Sequence, residues 1–181
     1  FLLAQLSKSE IRSINITAEG EISEYIDSLQ TFSTVGVLAV SCGDEVNYVN
    51  ANFIAKEKGI ELTTSEFSNH SGYQNKVSIN ITTPSGIKTI SGTVFNEDVQ
   101  RIVEINGFPL DIEPKGKMII MRNHDVPGVI GEVGKILGNN SINIADFRLS
   151  RGKDGALAVI LIDEKASSDV LKKLDSLEAA I

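Results

Sequence analysis

The chain has 181 residues, a formal net charge of −7 and 41% apolar residues, with a mean hydropathy of +0.03. Its acidic surplus is scattered, which argues against nucleic acid and anionic membranes, since both need clustered Lys and Arg; no apolar run approaches the roughly 20 residues that span a bilayer, and nothing reads as a secretory signal. Cys42 is the single cysteine, so there is no disulfide framework and no Cys-based metal site, and together these features point to the cytoplasm.

Taken in order, Phe1-Leu2-Leu3-Ala4-Gln5-Leu6 has the apolar spacing of a helix's closing turns, which suggests a chain that continues upstream. Ile14, Ile16 and Ala18 alternate with polar residues, the pattern of a half-buried strand. The spacing predicts helices over 31–40 and 46–58. The second would carry Val46, Val49, Phe53 and Ile54 near one face and end with Gly59 at C′. A short strand follows over 60–62, then a polar loop over 68–75 that includes His70. Val77, Ile79 and Ile81 alternate, Thr83-Pro84-Ser85-Gly86 turns the chain, and 88–95 returns as a hairpin. A second hairpin pairs 101–105 with 108–112. Its two-residue turn, Asn106-Gly107, suits type I′, in which both central residues take positive φ.

Pro, Gly and charge cluster at Glu113-Pro114-Lys115-Gly116, the expected domain boundary, giving domains 1–114 and 115–181. In the second, 117–122 reads as a strand. Asp125-Val126-Pro127-Gly128 opens a helix: Asp can cap it, and Pro is tolerated in the first turn because its missing N–H would have no partner there. Val129, Val133, Ile136 and Leu137 make one buried stripe, and Asn139-Asn140 ends the helix. Strands follow over 142–150 and 157–162, with a turn at 152–155. Ser167 caps a short helix that ends near Leu174. The order β-α-β-β-α wants one more strand to complete a ferredoxin-like unit, for which 176–181 is short. The 157–162 run is apolar on both faces. One face should meet the helices, and the other needs cover, such as edge-to-edge pairing with a second copy. The expected class is α+β, two small domains.

The second block resembles an ACT domain. The residues carrying this are Asn123-His124-Asp125-Val126-Pro127-Gly128-Val129-Ile130-Gly131 and Ser141-Ile142-Asn143-Ile144-Ala145. The first block resembles the intervening domain of long-form phosphoglycerate dehydrogenases and of some L-serine dehydratases. There the carriers are Glu45-Val46-Asn47-Tyr48-Val49-Asn50-Ala51, Ala55-Lys56-Glu57-Lys58-Gly59-Ile60, Gly92-Thr93-Val94-Phe95 and Arg101-Ile102-Val103-Glu104-Ile105-Asn106-Gly107-Phe108. An intervening domain followed directly by an ACT domain points to the dehydrogenase. The resemblance implies a ferredoxin-like βαββαβ second domain and a parent enzyme that oxidises 3-phosphoglycerate with NAD in the first step of L-serine synthesis. It implies a parent whose catalytic domains lie outside this chain, leaving this part with regulation and assembly and no catalytic residue or cofactor of its own.

It also implies an effector site. In serine-sensing relatives the residues matching Asn123, Asp125 and Asn143 contact L-serine across an ACT–ACT dimer interface, although Asn123 departs from the His or Tyr expected there. The chemistry agrees. A helix start offers free N–H groups to a carboxylate, Asp125 can accept from an ammonium, and Asn143 can donate or accept. Asp125 as a plain cap and Asn143 as a turn residue are the bland alternatives. Arg101 and Lys115 are a possible anion site in the first domain, against the simpler reading of exposed charges at strand ends. His70 and His124 lie too far apart in the chain to give a metal motif. Gly128, Gly131 and Gly134 lack the G-x-G start of a dinucleotide loop and read as close helix–sheet packing. Homodimers or homotetramers through both domains are expected. The competing readings are an architectural module without effector and the regulatory domain of an L-serine dehydratase.

Overall fold

The computed structural model describes residues 1–7, 9–67, 72–96 and 98–181, with Glu66 and Phe67 described in backbone only. The start of the expected 68–75 loop, with His70, lies outside the described residues. By its contacts the chain divides into two units, Phe1–Gly107 and Phe108–Ile181. This division falls before the Glu113–Gly116 cluster and leaves that cluster in the second unit.

In the first unit, the strands β1 (Ser13–Glu19), β2 (Glu61–Phe67), β3 (Lys76–Thr83), β4 (Gly86–Phe95) and β5 (Val99–Ile105) lie in the order β2-β1-β3-β4-β5. β1 and β2 are parallel and the remaining pairs antiparallel. A parallel pair needs a crossover, and helices α2 (Ile26–Cys42) and α3 (Ala51–Glu57) provide it, after a short α1 (Leu2–Gln5). Ile14, Ile16 and Ala18 are fully buried, as their alternation requires. Ile14 and Ile16 pack with Val37, Leu38, Ala51, Ala55 and Ile81. The other sheet face is polar: the Asn15 amide donates to Thr63 Oγ1 at 2.9 Å and Thr89 Oγ1 donates to Asn80 Oδ1 at 2.7 Å.

Two helix starts differ from expectation. α2 begins at Ile26, behind a 3₁₀ turn over Glu21–Tyr25, well before the expected residue 31. α3 begins at Ala51 and not at 46, because Asn47 Oδ1 accepts from Val49 N at 2.9 Å and Asn50 Oδ1 accepts from Asn47 N at 2.8 Å. Such side-chain-to-backbone bonds compete with helix propagation. Val49 is therefore 88% exposed and Phe53 63% exposed, against the expectation that both would face the core with Val46. Gly59 ends α3 as expected: its φ is +70°, its N–H reaches Lys56 O at 3.0 Å and Ile60 N–H reaches Ala55 O at 2.9 Å, a Schellman motif. β2 is longer than 60–62, since all of Glu61–Phe67 is in register with β1. At the second turn Asn106 and Gly107 both take positive φ, +50° and +80°.

The second unit holds β6 (Phe108–Ile112), β7 (Lys117–Asn123), α4 (Val129–Asn139), β8 (Ile144–Gly152), β9 (Gly155–Ile162) and α5 (Ser168–Asp175). β7, β9 and β8 form an antiparallel sheet in that order. Val129, Val133 and Leu137 of α4 and Val170 and Leu174 of α5 close over Ile119, Met121, Ala158 and Ile160. Ser167 Oγ caps α5 by accepting from Val170 N at 3.3 Å. The expected last strand is reduced to one bridge, Asn123 with Ala180, flanked by His124 N–H to Ala179 O at 2.9 Å and Ile181 N–H to Arg122 O at 3.0 Å. Even so abbreviated, the segment sits beside β7, where a ferredoxin-like unit places its final strand.

The second face of β9 departs from expectation. Leu157, Val159 and Leu161 are all buried within the single chain, so this face needs no second copy to leave water. Phe108 lies on that side, its ring 5.0 Å from the Arg122 guanidinium carbon.

Candidate effector site at the start of α4

The site grows from the end of β7. Asn123 is 1% exposed, and its Oδ1 accepts from Asp125 N at 2.9 Å. An Asx turn of this kind lets a short polar side chain stand in for backbone. Asp125 takes φ +53°, in the left-handed region that Asp tolerates better than most residues. The loop is pinned from the other side by Ala179 through His124 N–H.

Asp125 does not cap α4. The helix starts at Val129, with Gly128 as N-cap at φ +97° and no side-chain cap bond. The reason is the left-handed step at Asp125, which turns its carboxylate to Arg151 instead: Arg151 Nε lies 3.0 Å from Oδ2 and 3.2 Å from Oδ1. The first-turn N–H groups of α4 thus have no capping side chain and no intrahelical partner, and they carry the positive end of the helix dipole.

A cleft of about 360 Å³ opens here, walled by Asn123, Asp125 and Arg151 at its polar side and by Val129, Phe147 and Leu149 at its apolar side. The Nδ2 of Asn123 is buried and has no hydrogen-bond partner among the described residues. An unsatisfied buried donor costs about 1–3 kcal/mol, a demand that an acceptor in the cleft would meet.

Asn143 is not brought to this cleft within one chain. It precedes β8 at the end of the sheet where Ile144 and Lys117 both flank Ile162, whereas Asn123 is level with Ala156. Six residue steps along β7 put roughly 20 Å between the two ends. There its Nδ2 donates to Asp163 Oδ2 at 2.6 Å and its N–H to Glu164 Oε2 at 2.7 Å. Arg101 lies in β5 of the first unit, with Nη1 donating to Gln100 O at 3.2 Å. Lys115 lies in the second unit, its ammonium paired with Glu113.

Residues 1–106 match the family profile of the D-3-phosphoglycerate dehydrogenase intervening domain. The chain belongs to that family. Residues 117–179 match the ACT domain, so the cleft lies in the ACT unit. D-3-phosphoglycerate dehydrogenase of Bacillus subtilis (strain 168) is 35% identical over 176 residues, covering 96% of this chain and 34% of the relative. The enzyme of that name from Mycobacterium leprae is 33% identical over 93% of the chain and 33% of the relative, and that from Synechocystis 27% identical over 96% and 32%. The chain thus spans about a third of the length of the curated relatives it matches.

The glycines of the ACT helix do not serve the packing role expected of them. A Cβ built at Gly131 or Gly134 meets nothing within 4 Å, because both lie off the Val129–Val133–Leu137 stripe. Arg151 is the site residue that the sequence did not disclose. It is level with Ala156, which is level with Asn123, and only the register of three strands makes them neighbours. Among the described residues no cluster of three His, Cys, Asp or Glu could hold a metal, and no helix is long and apolar enough to cross a membrane.

Proposed function

We propose that this chain is the regulatory and assembly portion of a cytoplasmic D-3-phosphoglycerate dehydrogenase, lying toward the C-terminal end of an enzyme that oxidises 3-phosphoglycerate with NAD in the first step of L-serine biosynthesis. On this reading its ACT unit binds L-serine as feedback effector, and the unit pairs with a second copy in a homodimer or homotetramer. The relatives named above support the dehydrogenase over an L-serine dehydratase, since each carries the dehydrogenase name along nearly the whole of this chain. The α4 glycines lack the G-x-G start of a dinucleotide-binding loop. NAD and the catalytic groups therefore belong to the rest of the parent.

The observation that carries the effector reading is the buried Nδ2 of Asn123, without a hydrogen-bond partner among the described residues, in a cleft lined by the uncapped α4 start and Asp125. These supply what a small amino acid needs: N–H donors for its carboxylate, an anionic acceptor for its ammonium and an amide for its hydroxyl. Asn143, at the far end of the same sheet, would reach the site from a second copy under two-fold pairing, since a symmetric interface brings opposite ends of one surface together. Arg101 and Lys115 remain proposed contacts for an anionic effector, each acting in its own unit. Calorimetry with L-serine on the purified chain tests the sensor role. Measurable binding supports it, and no heat at millimolar L-serine rejects it.

One observation favours a purely architectural module: Asp125 and Asn143 already have partners within the chain. In that case deleting the ACT unit from the parent would change oligomer size while L-serine left activity untouched.

A further inference from the structure

Arg151, the last residue but one of β8, lies beside the cleft with its side chain 73% exposed. Its hydrogen bond to Asp125 is made by Nε, and Nη1 and Nη2 make no hydrogen bond among the described residues. The guanidinium therefore keeps a planar two-nitrogen fork open at the mouth of the cleft, with the carboxylate of Asp125 fixed next to it. We infer that Asp125 and Arg151 act together as a dipolar receptor for the zwitterionic head of the effector, with Arg151 taking the carboxylate and Asp125 the ammonium. This rests on the reading that the ACT unit binds an amino acid, and it adds a residue and a rule of selection to that reading.

The physical case is one of charge order. A carboxylate and an ammonium on one carbon form a short dipole, and an Asp–Arg pair is its complement. The guanidinium fork donates two parallel hydrogen bonds to a carboxylate, which a lysine in its place could not match. A lone amine would meet the Arg151 cation and a lone carboxylate the Asp125 anion, so the neutral pair discriminates against both. The orphaned Nδ2 of Asn123, buried in the same wall, asks for an acceptor on the ligand, which a carboxylate or hydroxyl oxygen supplies.

The test is calorimetry on the full 181-residue chain with three ligands: L-serine, L-serinamide (no carboxylate) and glycerate (no ammonium). The wild type should bind L-serine about tenfold or more tightly than either analogue, the effect of one lost charged hydrogen-bonding partner. Arg151→Gln should lower L-serine affinity by about the same factor and leave L-serinamide binding as tight or tighter, while Asp125→Asn should lower L-serine and leave glycerate binding as tight or tighter. Arg151→Lys should fall between wild type and Arg151→Gln. Circular dichroism of each variant confirms folding, which exposure of Arg151 favours. If wild type and Arg151→Gln bind L-serine equally, or if Arg151→Gln weakens L-serine and L-serinamide in parallel, the receptor role of Arg151 is overturned while the effector reading stands. If the wild type binds no L-serine, the effector reading fails and the receptor with it.

Discussion

The backbone oxygen of Asn123 occupies the space that a side chain at Gly155 would need: a Cβ added there would lie 2.3 Å from it. Gly155 also holds φ at +101°, where side chains are strained. The β8–β9 turn thus presses directly on the residue that organises the candidate site. Gly155→Ala should cost about 2–4 kcal/mol, strain and clash combined, read as a lower urea midpoint. An unchanged midpoint would show that the turn yields freely.

Gly134 presents the opposite situation. It sits inside α4 with open space around a built Cβ. Gly134→Ala should raise stability by about 0.5–1 kcal/mol, the helix-propensity difference between the two residues. A rise in the thermal midpoint with unchanged ligand binding checks it, because Gly134 does not line the cleft.

At the start of α3, Asn50 accepts from Asn47 N and donates to Glu45 O at 2.9 Å. Asn50→Ala removes both bonds and should cost about 1 kcal/mol, as loss of a helix cap does. Denaturant titration would show this as a shifted midpoint with an unchanged slope.

Asp125 and Asn143 lie at opposite ends of one sheet, so the proposed effector site must borrow Asn143 from a second copy. Asp125→Ala and Asn143→Ala chains should each bind no L-serine alone. Unfolded and refolded together, they should regain about one intact site per mixed dimer, since a two-fold interface builds each site from one residue of each copy. Mixing without any recovery would reject a shared site.

Much of the frame was legible from local pattern. Ile14, Ile16 and Ala18 alternate because one sheet face is buried, Val129, Val133 and Leu137 recur at helical spacing, and Gly59 and Asn106-Gly107 answer to φ rules that act within a few residues. The readings that failed depended on competition or on distance. Asn47 and Asn50 capture backbone groups that helix spacing alone would assign to α3. Asp125 reads as a cap in sequence, yet its left-handed backbone aims it at Arg151. Within the candidate site, Asn123 and Asp125 could be named together because they are two residues apart. Arg151 could not, since its nearness depends on the registers β7–β9 and β9–β8 at once. The cover over Leu157, Val159 and Leu161 was equally invisible, because periodicity shows that a face is apolar and not what lies on it.

The loop carrying Asn123 and Asp125 is held from beyond α5: His124 N–H donates to Ala179 O, and Ile181 N–H donates to Arg122 O. Pairings so distant in the chain form slowly, since loop closure precedes any gain from contact. Competence for the effector would therefore arise late in folding, after α5 docks. A molecule in which residues 179–181 have come loose would keep its three-stranded sheet yet lose the loop geometry that the proposed effector needs.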